Sequence, residues 1–187
     1  MKLRILTVAL TCALALIVSA ASYAQYETSN RTRVGVRMVA YRPTGSQLKS
    51  MGSTWLTPML DVNLLYDKQD RPTAFISMGW FGGEDNSSRT KASMIPVTTT
   101  YLKYFGKNPD KSLYVGGGLG LYSTKYETPW SSNSNRKIDF NLAAGLSFGN
   151  GWFSELRYDH ARVTPTDYSG DVDFSGLSIC VGSHLGF

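Results

Sequence analysis

Eight ionisable residues carry most of the chemistry this sequence could support: Arg33, Arg37, Asp61, Lys103, Asp139, Glu155, Arg157 and Asp159. Each is read on the face of an alternating run that lies opposite the apolar residues. Four positive and four negative groups on such faces could pair into a salt-bridge network, line an ion path, or supply a carboxylate pair for acid–base work. Charges taken out of water are tolerated only when paired and hydrogen-bonded, so equal numbers of the two signs favour the network. Glu155, Arg157 and Asp159 alternate along one run, where Asp139 or Arg37 on other runs could act as cross-strand partners.

Other chemistries find less support. His160 and His184 fall near opposite ends of their runs, with no cysteine or carboxylate cluster at ligand spacing, so no metal is expected. Gly116-Gly117-Gly118 leads into neither a helix nor a Lys-Ser/Thr pair and is not a phosphate loop. No cofactor is expected. The 19 basic and 14 acidic residues are scattered, which leaves no footprint for nucleic acid.

The chain has 187 residues, is 42% hydrophobic and 12% aromatic, and is only 18% charged, which argues against disorder or a coiled coil. Lys2 and Arg4 precede an apolar stretch from Ile5 to Val18, and Ser22-Tyr23-Ala24 offers small residues for cleavage. Residues 1–24 therefore read as an export signal, too short for a spanning helix, and residues 25–187 as one domain. Loss of the leader removes Cys12 and lowers the net charge from +5 to +3. Cys180 then has no intrachain partner.

The elements that must position the charges are strands. Period-two alternation recurs in eight runs, at about 32–41, 55–66, 73–81, 93–105, 113–126, 138–148, 152–163 and 173–187. Ile138, Phe140, Leu142, Ala144, Leu146 and Phe148 form the cleanest apolar face. The fourth run is ambiguous, and an inward Lys103 sends Thr98, Thr100, Leu102 and Tyr104 outward. Gly116, Gly118 and Gly120 are expected to make room for a long neighbour such as Arg157. Short links at 67–72, 106–111 and 149–151 alternate with longer polar ones at 42–54, 82–92, 127–135 and 164–172. Apolar residues on one face and charge, Gly and Ser on the other suit a closed sheet in lipid, which pairs every backbone group. Tyr66, Tyr104, Trp80, Phe81, Tyr126 and Trp152 stand near run ends, as interfacial girdles would require. The fold expected is all-β: an eight-stranded antiparallel up-and-down transmembrane barrel.

The last run ends Leu185-Gly186-Phe187, with Ile179, Val181 and Leu185 on the parity of Phe187. With the leader, the eight runs and Glu155-Leu156-Arg157-Tyr158, this resembles the small eight-stranded outer-membrane barrels, the OmpA-barrel, OmpX and Ail-like group. The resemblance implies a bacterial outer-membrane location and Phe187 as an insertion signal read by the barrel-assembly machinery. It also implies a monomer with a structural or surface-contact role, such as envelope integrity or loop-mediated adhesion. Arg42, Lys49, Arg89, Lys91, Arg136 and Lys137 near the outer rim are candidates for lipopolysaccharide phosphates, and loops around Trp130 for an extracellular ligand. A narrow channel is one alternative. A lipid A deacylase of the same architecture is another, but its His-x-Ser-Asn signature is replaced here by His160-Ala161-Arg162-Val163.

Overall fold

The computed structural model describes residues 34–106, 108, 111–148, 151–163 and 172–185. The leader, Arg33 and Phe187 lie outside the described residues. The elements in chain order are β1 (Val34–Pro43), a short helix α1 (Ser46–Lys49), β2 (Trp55–Tyr66), β3 (Pro72–Gly79) and β4 (Phe81–Asp85). They continue as β5 (Thr90–Phe105), β6 (Lys111–Thr128), β7 (Ser131–Phe148), β8 (Trp152–Asp159), β9 (Arg162–Val163), β10 (Val172–Asp173) and β11 (Gly176–Leu185). One sheet runs β3-β2-β1-β11-β8-β7-β6-β5-β4, and β3 also pairs with β5, which closes it. Because β3 and β4 are one strand interrupted at Trp80, the closed barrel has eight antiparallel strands. The small pair β9–β10 stands apart from it.

Alternation fixes the faces. Leu56, Leu119, Ile138, Leu142, Ile179 and Val181 are exposed on the outside, while Arg37, Asp61, Glu155 and Arg157 are buried inside. The first and last described strands pair with Val34 opposite Leu185, which puts these two residues together at the short-turn end. There Asp67 accepts hydrogen bonds from the backbone N–H groups of Gln69 and Arg71, both at 2.9 Å. Arg71 ties this turn to the next one through Ser112 (2.8 Å) and Gly106 (3.2 Å).

The fourth run has the opposite parity to the one expected. Thr98, Thr100 and Leu102 are buried in the barrel, and Lys103 is exposed on the outside. The reversal gives the lipid Ile95, Tyr101 and Phe105 and gives the lumen two hydroxyls that its polar side chains use. A single outward lysine near the strand end can extend its ammonium toward water.

Two expected loops are extended hairpins instead. β4 pairs with β5 from Phe81↔Met94 to Asp85↔Thr90, and β6 pairs with β7 as far as Thr128↔Ser131, leaving Pro129 and Trp130 as the tip. Serine, asparagine and threonine hide this alternation because neither face is apolar above the membrane. Of the aromatics, Trp80 and Trp152 face outward, but Phe81 is buried inside, Tyr126 packs on the inner cluster, and Tyr104 packs inside the short-turn end.

The glycines of β6 serve strand approach rather than Arg157. A Cβ on Gly118 would fall 1.8 Å from the Thr99 carbonyl oxygen, and one on Gly120 would meet the Thr98 methyl at 2.5 Å. Gly118→Ala is therefore expected to push β5 and β6 apart and to cost about 1–3 kcal/mol, as overpacking does. Urea unfolding in micelles, followed by the gel shift between folded and boiled protein, measures it.

A buried ion-pair network inside the barrel

Arg37 on β1 points into the lumen from the strand that lies between β2 and β11. Its Nε and Nη2 donate to Asp61 Oδ2 at 2.8 and 2.6 Å, and its Nη1 donates to Glu155 Oε1 at 2.6 Å. The remaining carboxylate oxygens are also occupied: Ser77 donates to Asp61 Oδ1 at 2.6 Å, and Tyr114 to Glu155 Oε2 at 3.1 Å. The guanidinium lies 5.0 Å from the ring centroids of both Phe75 and Phe153. β1 and β8 are not sheet neighbours, so this group of contacts reaches across the lumen rather than along one ladder.

A second group lies beside it. Arg157 Nε is 3.1 Å from both oxygens of Asp159, and Nη2 donates to Thr98 at 2.7 Å. Tyr122 donates to Asp159 Oδ1 at 2.8 Å, and Thr100 donates to Asn141 at 2.9 Å. Arg157 Nη1 and Asn141 Nδ2 have no hydrogen-bond partner among the described residues.

Apolar layers flank the polar one. Toward the short turns sit Phe75, Leu102, Tyr114 and Phe153, with Tyr104 against them and Arg71 4.5 Å from the Tyr104 centroid. Toward the long hairpins, Val39, Tyr41, Trp55, Met59, Phe81 and Met94 pack with Leu48 and Met51 of the β1–β2 connection and with Val163, Val172 and Phe174. Tyr41 donates its hydroxyl proton to the Phe174 carbonyl, fastening this layer to the segment before β11.

Five of the eight expected interior charges are thus buried: Arg37, Asp61, Glu155, Arg157 and Asp159. Lys103 is not among them, because its strand has the opposite parity. Asp139 lies above the end of β8, where its carboxylate is 2.8 Å from His160 Nδ1 and 3.4 Å from Lys137 Nζ instead of meeting Arg37 or Arg157. His160 stacks on Phe140 at 5.0 Å. No serine hydroxyl is paired with its ring among the described residues. His184, at the other end, stacks on Phe153 at 4.7 Å and meets Asn63 at 3.2 Å. The described residues contain no group of three or more His, Cys, Asp and Glu placed to hold a metal. Cys180 is free and buried.

The rim cations do not form one patch. Arg42, Lys49, Arg89 and Arg136 are exposed on separate elements, Lys91 pairs with Glu84 at 3.1 Å, and Lys137 also donates to the Arg162 carbonyl at 2.9 Å. The outer apolar layer escaped sequence reasoning. Tyr41, Trp55, Met59 and Phe81 share the inward parity of the charges, and that shared parity was the available signal, whereas Met94 lies on the run whose parity was reversed.

A closed antiparallel barrel with an apolar outside and a charged, aromatic inside defines a protein that crosses a membrane with strands. The chain belongs to the outer membrane protein beta-barrel domain family, whose model matches residues 10–184. It is a protein of the bacterial outer membrane. Among solved structures, neisserial surface protein A matches with a TM-score of 0.53 and 14% identity, over 84% of this chain and 100% of that one. The N-terminal barrel of Pseudomonas aeruginosa OprF matches at 0.46 and 14%, over 82% and 99%. Ail, the attachment invasion locus protein of Yersinia pestis, matches at 0.46 and 15%, over 84% and 97%. No curated protein matches by sequence. The short turns are therefore periplasmic and the long hairpins extracellular.

Removing Arg37 leaves two carboxylates buried without their counter-charge. Arg37→Met is expected to lose about 3–5 kcal/mol, while Arg37→Met with Asp61→Asn and Glu155→Gln recovers much of that loss. Urea midpoints for the two proteins in one detergent decide it. At the periplasmic turn, burial raises the Asp67 carboxyl, but Arg71 and two backbone N–H groups outweigh it and hold it below the ordinary aspartate range. A depressed folded value means that the contribution is complete at neutral pH and fades as pH falls through that value. Carboxyl ¹³C titration of Asp67 is expected to show a midpoint below the ordinary range, and Arg71→Ala to return it upward.

Proposed function

We propose that this protein is a closed, non-conducting barrel that anchors extracellular hairpins for surface contact, with its lumen plugged by the Arg37 and Arg157 ion pairs. The observation that carries the reading is the bridge from β1 to β8: Arg37 joins Asp61 and Glu155 across the lumen, between two apolar layers. A water path for ions would have to break that bridge and also part the cluster around Tyr41 and Met94. The outer hairpins favour the contact role. Trp130 is 94% exposed at the tip of β6–β7, about 20 Å along the strand beyond Leu121, the last outward apolar residue of β6. At that height it stands clear of the lipid boundary and can bury its ring only against a partner. Aromatic anchors of this kind dominate many interfaces.

Planar-bilayer recording is expected to give a flat trace for the wild-type protein, and discrete steps would refute the plug. In cells expressing equal amounts of folded barrel, Trp130→Ala is expected to lower adherence to immobilised matrix protein several-fold. Unchanged adherence would remove Trp130 from the role.

A further inference from the structure

The outer surface changes from apolar to polar along straight rungs that can be followed across the sheet. Val97, Leu121 and Ile138 form the last apolar rung of β5, β6 and β7. The next is Ile95–Ser123–Arg136, followed by Ser93–Lys125–Ser134 and then Lys91–Glu127–Ser132. β4 extends the upper two rungs, with Gly82 beside Ser93 and Glu84 beside Lys91. Two residues along a strand advance about 7 Å, so these two rungs lie in the layer just outside the hydrocarbon.

A depression of about 360 Å³ occupies this height, lined by Trp80, Gly82, Ser93, Lys91 and Lys125, with Glu84 and Glu127 at its upper edge. Its floor is flat because Gly82 and Ser93 have little or no side chain. Trp80 is 57% exposed, and its ring lies so close over Gly82 that a Cβ there would approach it to 2.7 Å. Lys91 and Lys125 stand on adjacent rungs, held by Glu84 at 3.1 Å and Glu127 at 2.5 Å. Arg136, on the neighbouring strand, has no carboxylate partner among the described residues and adds the uncompensated positive charge of the region.

We infer that this depression is a binding site for the phosphorylated glucosamine headgroup of lipid A in the outer leaflet. Each part of that headgroup meets a matching group. An indole face packs on the apolar face of a sugar ring. Two ammonium groups and a nearby guanidinium form charge-assisted hydrogen bonds with phosphate. The two carboxylates accept from sugar hydroxyl and amide groups while keeping the lysines in place. The acyl chains then descend onto Ile95, Leu121 and Ile138, which are exposed at the level immediately below. A free phosphate ion would use only the cations and would gain nothing from Trp80 or the apolar rung, which selects the lipid.

The test uses the full barrel in phospholipid nanodiscs, titrated with lipid A and analysed by native mass spectrometry. Wild-type protein is expected to retain lipid A at least fivefold better than Lys91→Ala/Lys125→Ala and Trp80→Ala. Lys68→Ala, exposed in the periplasmic turn between β2 and β3, is expected to match wild type. Heat-shifted mobility on gels confirms that every variant is folded. Equal retention by all four proteins overturns the site. Equal competition by inorganic phosphate, or equal retention of phosphatidylglycerol, overturns the assignment to lipid A.

Discussion

The structure depends on one constraint: a closed sheet of eight strands in lipid has an inside, and that inside must be filled. Hydrocarbon forces every backbone N–H and C=O into the sheet, and closure leaves a lumen wide enough only for side chains. Arg37 meets that constraint at the centre. It gathers Asp61 from the neighbouring β2 and Glu155 from β8, beyond β11 on its other side, and Ser77 and Tyr114 occupy the carboxylate oxygens it leaves. A charge cluster that would be costly when half satisfied is thereby made compatible with burial.

The neighbouring layers follow from the same filling problem. Phe75 and Phe153 flank the guanidinium and keep it from water on the periplasmic side. On the outer side, α1 turns Leu48 and Met51 down onto Trp55 and Met94, so the first extracellular connection belongs to the interior. The hairpins of β4–β5 and β6–β7 share that duty only at their bases, through Phe81, Met94 and Tyr126. They rise as polar sheet beyond the apolar rungs and carry exposed charge and Trp130. Membrane-spanning and exposed polar segments thus occupy different lengths of the same strands.

Much of the barrel was legible because alternation along β1, β2, β6, β7, β8 and β11 sorts residues into lipid-facing and lumen-facing sets. Arg37, Asp61, Glu155, Arg157 and Asp159 were found that way. Alternation carries no such information where both faces bear similar residues. β5 offers Thr and Tyr on either side, and its parity is decided by the hydroxyls of Thr98 and Thr100, which partners on other strands require. The upper hairpins failed for a related reason: above the membrane neither face is apolar, so strand and loop look alike. The sequence also treated the lumen as polar throughout. Tyr41, Trp55 and Met59 were on its parity all along, but a rule that looks for charge inside passes over apolar residues there, and Met94 was hidden by the reversed parity of its own run.

Arg37 is fixed between Asp61 and Glu155, away from water. Side-chain ¹H–¹⁵N spectra of the arginines in micelles test it most directly. Separate, slowly exchanging Nη signals are expected for Arg37, with an Nε proton protected long after solvent-facing arginines such as Arg89 have exchanged. A single averaged Nη signal exchanging with water as fast as that of Arg89 would contradict it.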